Sequence, residues 1–140
     1  MTESNYIFEK RNVSYKEYKI HKYVYVLSKI FCFHMPRIYD YDSDTQIMKM
    51  QRVPNMCVAD FYGDAAQNVP SYVFDEIRRI IKTLYANNVY YPDITGYNFI
   101  EYDNKIWIID FGHAEIKEQI NDEFVADFIK GKNAWNPEFK

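Results

Sequence analysis

The sequence predicts an α+β fold in two unequal halves: a small first half of strands plus one helix, and a mainly helical second half. Three observations predict it. Apolar residues recur at helical spacing between Ser14 and Phe31 and again between Pro70 and Asn87. Strand–turn–strand patterns occupy 37–53 and 98–109. Between them Pro54-Asn55 interrupts the pattern, so one domain spanning 1–140 divides into 1–53 and 54–140. With 140 residues, 48% of them hydrophobic and 19% aromatic, the chain can bury a core of its own.

Residues 6–11 read as a short strand. Ser14 is placed as a helix N-cap with Glu17 three positions on, the spacing of a capping box. Ile20, Val24, Leu27 and Phe31 then form the stripe by which this helix packs, and Pro36 ends it. Strands are expected at 37–41 and 45–53, joined by Asp42-Ser43-Asp44, with a short helix over 56–62 near Gly63. After Pro70 comes the strongest helix: Val73, Ile77, Ile80 or Ile81, and Leu84 face inward, while Asp75, Glu76, Arg78, Arg79 and Lys82 face water. An irregular stretch, 90–97, precedes a hairpin of Asn98–Tyr102 and Lys105–Ile109 turning at Asp103-Asn104, residue types that tolerate left-handed backbone. A last helix over about 121–130 stops at Gly131, and Trp135-Asn136-Pro137 docks the tail through its large ring.

Composition excludes several classes. The mean hydropathy is −0.47, and the most apolar run, 23–35, is broken by Lys29 and His34, so no membrane span is expected. No basic segment followed by an apolar one opens the chain, and Cys32 and Cys57 lack metal or redox spacing. An intracellular, cytoplasmic setting is expected. A net charge of −3 gives no direct nucleic-acid signal, and the lysines of the first helix read as a solvated face. Asp40 to Asp44 imitates a calcium loop but has Thr45 where glycine is needed and Gln51 where glutamate is needed. His113 reads as incidental, since His21 and His34 share no metal spacing with it.

The chemistry lies in three polar residues. A turn at Asp103-Asn104 sets Asn98 opposite Ile109 and beside Asp110, and Asp93 lies five positions before Asn98. Taken singly, each residue reads as a turn cap. Together they offer oxygen ligands suited to Mg²⁺ at Asn98 and Asp110, and a carboxylate at Asp93 able to accept a hydroxyl proton.

The segment YYPDITGYNFI, followed by IWIIDFG, resembles the catalytic and metal loops of protein kinases and their atypical relatives: an Asp, an Asn five positions later, then Asp110-Phe111-Gly112. The order of elements from about residue 6 to 112 fits as well. The resemblance implies a truncated protein-kinase-like fold, ATP and Mg²⁺ as cofactors, Asp93 as catalytic base, and Asn98 and Asp110 as metal ligands. It further implies an adenine contact at the connector 53–56, through Val53 and Asn55. Glu17 would pair with a strand lysine that orients phosphate, Lys10 or its rival Arg11; read without the family, Glu17 is a capping-box residue.

The sequence also departs from that family. No glycine precedes Gly63, Tyr91-Pro92 replaces the usual His-Arg, and only 28 residues follow Gly112. Three expectations stand: a minimal phosphotransferase acting on a protein substrate, or ATPase-like as in small kinases of transfer-RNA modification complexes; a pseudokinase or kinase mimic that binds a partner protein; or a structural domain. The abundance of Ile, Lys, Asn, Tyr and Phe fits an AT-rich, compact viral gene.

Overall fold

A computed structural model describes residues 6–139; the ends of the expected domain, 1–5 and 140, lie outside the described residues. Strand β1 (Ile7–Lys10) is followed by helix α1 (Tyr15–Phe31), then β2 (Ile38–Asp42) and β3 (Ile47–Gln51). The three strands form one antiparallel sheet in the order β1-β3-β2. Lys10 pairs with Met48, so the two share a sheet face, and Met48 is fully buried. Arg11 lies outside the strand, exposed, against Glu9.

Ser14 caps α1 by accepting from the Glu17 N–H at 3.1 Å. The reciprocal half of a capping box is absent, because the Glu17 carboxylate bonds Lys10 instead. Ile20, Val24 and Leu27 turn into the main core, whereas Phe31 is exposed. Between β2 and β3, Asp42 accepts from the Asp44 N–H at 2.9 Å and from Thr45 at 3.4 Å. The carboxylate that imitated a calcium ligand thus closes its own turn.

After the connector come α2 (Val58–Tyr62) and α3 (Ser71–Ala86), whose Val73, Ile77, Ile80, Ile81 and Leu84 are all buried, together with Phe74. Arg78 departs from the expected water-facing position. Its guanidinium lies over the Phe128 ring and donates to the carbonyls of Phe128 and Asn133, so burial over aromatic faces and two acceptors outweigh hydration. Arg79 reaches back to the carbonyls of Phe31 and Cys32, at 3.1 and 2.8 Å, closing the C-terminal end of α1.

Strands β5 (Phe99–Tyr102) and β6 (Lys105–Ile108) form the hairpin in the expected register, Tyr102 opposite Lys105. Asp103 and Asn104 take φ of 56° and 60°, the left-handed pair that a two-residue turn requires. Two short strands were not foreseen: β4 (Val89–Tyr90) pairs with β7 (Glu115–Ile116) and draws the chain on both sides of the hairpin together. Helix α4 (Glu123–Ile129), capped by Asp122, precedes Gly131, and the tail returns across 92–94.

Gly96 marks a close approach. A Cβ there would lie 2.9 Å from the Ala59 Cβ and 3.0 Å from the Ala59 nitrogen at the start of α2. Gly96→Ala is therefore expected to cost about 1–3 kcal/mol in a denaturant melt. A loss below about 0.5 kcal/mol, the range of neutral surface changes, would show that α2 yields freely.

Candidate active site

The irregular stretch 91–98 is fixed by its side chains and carbonyls rather than by a ladder. The buried Tyr91 donates its hydroxyl to the Ile109 carbonyl at 2.6 Å and sets its ring edge against Phe111. Phe111 in turn meets His21 of α1 at 5.2 Å between ring centroids. A row of three rings thus ties α1 to the stretch that carries Asp93. Burial, with the charges of Asp110, Asp93 and Glu17, pushes the Tyr91 phenol well above its usual value, so it stays neutral.

His21 is almost wholly buried, and its Nε2 lies 2.8 Å from the Pro36 carbonyl. Burial lowers its pKa; the Pro36 carbonyl opposes this, the Lys10 charge adds to it, and the result is about 4 against an ordinary 6.5. A folded value below the unfolded one means stability present above pH 6.5 and lost as pH falls toward 4. The expected loss is about 3 kcal/mol. Melts between pH 7 and 4 should show it, and His21→Leu should flatten that part of the profile; an unchanged slope would exclude His21 as its source.

Asp110 adopts φ of 65°, a left-handed conformation at the open end of the hairpin. Its Oδ1 accepts from the Gly112 N–H at 3.0 Å and from Lys10 Nζ at 3.1 Å. A Cβ on Gly112 would stand 3.2 Å from that same oxygen and 3.5 Å from Glu17 Oε1, so the lack of a side chain there lets the carboxylates approach. Lys10 Nζ also donates to Glu17 Oε2 at 2.5 Å, with Glu17 only 7% exposed. Burial alone would lower the Lys10 pKa, but the hydrogen bond to Glu17 and the charge of Asp110 outweigh it and raise it. Burial would likewise raise Asp110, yet Lys10 and the Gly112 N–H hold it below its usual value. Lys10 and Asp110 are therefore both charged at neutral pH.

Asn98 Nδ2 donates to the Asp93 carbonyl at 2.9 Å, leaving its Oδ1 as the atom with ligating capacity. Among the described residues no three His, Cys, Asp or Glu side chains gather to hold a metal by themselves. A cation here would take one carboxylate and one amide oxygen and complete its shell with phosphate and water, which suits Mg²⁺. Asp93 is buried, and its Oδ2 lies 3.0 Å from His113 Nδ1. His113, read from sequence as incidental, is thus a direct neighbour of Asp93. Its place one residue after the Asp110–Gly112 loop was the only sequence signal.

Two cavities meet at Asp110. One, of about 340 Å³, is lined by Lys10, Met50, Val53, Asn55, Ile109 and Asp110. The other, about 600 Å³, is lined by Asp93, Asn98, Asp110, His113, Glu138 and Phe139, among others. At the connector the Asn55 N–H donates to the Val53 carbonyl at 2.8 Å, and the Asn55 side chain bonds the Glu101 carbonyl at 2.6 Å. Val53 and Asn55 thus border the first cavity with much of their polar capacity already used.

The mixed α/β fold, with its small sheet and few helices, is similar in shape to that of a solved viral kinase. A particular solved relative in shape is the Cydia pomonella granulovirus kinase PK-1, with a TM-score of 0.62 and 12% sequence identity over 84% of this chain and 46% of that one. The chain therefore spans under half the length of that viral kinase, and at such low identity the likeness shows the fold alone. No protein-family model and no curated protein matches the sequence.

Proposed function

We propose that the chain is a kinase-like phosphotransferase. ATP would occupy the cavity beside Lys10, and an acceptor hydroxyl would enter the cavity beside Asp93. The supporting observation is the placement of Asp110 on both cavity walls, with Lys10 on one side and Asp93 on the other. The acceptor oxygen would bond to the γ-phosphorus as the bond to the β–γ bridging oxygen breaks. ADP leaves with that electron pair, and Asp93 takes the hydroxyl proton. Lys10, steadied by Glu17, would orient phosphate oxygens. Asn98 and Asp110 would hold Mg²⁺, which neutralises charge on the phosphates.

One observation favours a second reading, a kinase mimic that binds a partner protein instead of nucleotide. At the connector the Val53 carbonyl and the Asn55 N–H are engaged with each other, and the Asn55 side chain with Glu101. Thermal melts with ATP and Mg²⁺ separate the two. Occupancy near 100 Kd adds about 2.7 kcal/mol, which for a domain of this size is a rise of about 8 °C. The rise should need Mg²⁺ and should vanish in Asp110→Asn, each protein being compared with its own ligand-free melt. No rise at millimolar ATP would leave only the mimic or a structural domain.

A further inference from the structure

We infer that Asn136, in the tail, is a positioning residue that holds Asp93 in place; the inference rests on the reading of Asp93 as the base. Asn136 is 5% exposed, the one buried residue of the segment 132–139. Its backbone N–H donates to the Ile94 carbonyl at 2.8 Å, and its side-chain Nδ2 donates to the Pro92 carbonyl at 2.9 Å. These carbonyls stand on either side of Asp93 in the chain. The carbonyl of Asp93 itself accepts from the Thr95 N–H and from Asn98 Nδ2. All three consecutive carbonyls are therefore engaged in a stretch that has no strand or helix to fix it; Asn136 meets the Ile94 carbonyl and shares the Pro92 carbonyl with the Ile94 N–H, which donates to it at 2.8 Å.

The amide orientation follows from its own partners. Asn136 Oδ1 accepts from the Glu138 N–H at 3.2 Å, so Nδ2 is the atom turned to Pro92. Asparagine suits this position because one short side chain must donate inward and accept from its own turn. Aspartate would set a carboxylate against a carbonyl oxygen, and alanine would do neither. The tail is seated on both flanks: the Trp135 ring lies 4.5 Å from Phe74, and the Phe139 ring 5.3 Å from His113, which contacts the Asp93 carboxylate. The tail thus reaches Asp93 through its backbone and through its histidine neighbour.

A group displaced by about 1 Å loses roughly 100-fold in rate while a separate binding pocket is unaffected. Asn136→Ala and Asn136→Asp are therefore expected to lower kcat by about 10- to 100-fold, with KM for ATP within about twofold and the ATP·Mg²⁺ thermal shift retained. A purely structural role would lower the melting temperature or the ATP-competent fraction without lowering kcat per competent molecule. Should the alanine form not fold, the aspartate form, which keeps Oδ1 and the backbone bond, carries the test. Unchanged kcat per competent molecule, loss of the ATP shift together with kcat, or failure of both variants to fold would each overturn the inference. Transfer by the wild type with unaffected variants removes this inference alone; a wild type that transfers no phosphate removes the phosphotransfer reading and this one together.

Discussion

Asp93→Ala is expected to reduce phosphate transfer by about 10²–10⁴-fold, the range assigned to a positioned general base. The substitution leaves the first cavity intact, because Asp93 does not line it. Nucleotide binding, read as the ATP·Mg²⁺ thermal shift, should therefore persist while turnover falls. Asp93→Asn is the sharper form: it keeps the size of the side chain and can still meet His113, but it cannot take the proton. Single-turnover transfer at saturating ATP measures the effect. A fall smaller than about fivefold in both variants would show that Asp93 is not the base, and His113 would be next to examine. His113 is 63% exposed on its side chain and stands against Asp93, so His113→Ala separates the two contributions.

Lys10→Met is expected to destabilise the fold by about 2 kcal/mol even without ligand, less than the 3–5 typical of fully buried pairs. The reason is Glu17. Its carboxylate is nearly buried on a helix face otherwise given to Ile20, Val24 and Leu27, and Lys10 is its bonded cation. Removing the ammonium leaves that charge uncompensated in a poorly solvated site and also strips a partner from Asp110. The melting temperature should fall by about 6 °C. Lys10→Met combined with Glu17→Gln should recover part of the loss, because the stranded charge is then gone. If the double variant is no more stable than Lys10→Met alone, stability at Lys10 comes from its packed stem rather than from charge. Both variants should weaken the ATP shift.

Local pattern carried much of this fold. The α3 stripe and the turn at Asp103-Asn104 could be read because a single element fixes each of them. The turn then set Asn98 against Ile109, whose N–H does bond the Asn98 carbonyl at 3.0 Å. The choice between Lys10 and Arg11 needed strand register, which alternation within one strand does not supply. Pairing with Met48 settles which of the two faces inward. Contacts between distant segments left no periodic trace at all. The β4–β7 pair has two residues per strand, 26 positions apart, and shows neither alternation nor a turn. The engagement of Arg78 with tail carbonyls, of Asn136 with Pro92, and of His113 with Asp93 is likewise long-range. A short polar residue in a tail looks the same in sequence whether solvated or buried.

The guanidinium of Arg79 on the last carbonyls of α1 has a mechanical consequence. At one end of that helix Glu17 is gripped by Lys10 from β1; at the other, Phe31 and Cys32 are gripped from α3. A rod anchored at both ends does not pivot. Swinging α1 outward would have to break charged contacts at both ends at once, so the spacing between Glu17 and Asp110 behaves as a stiff dimension of the molecule rather than an adjustable one.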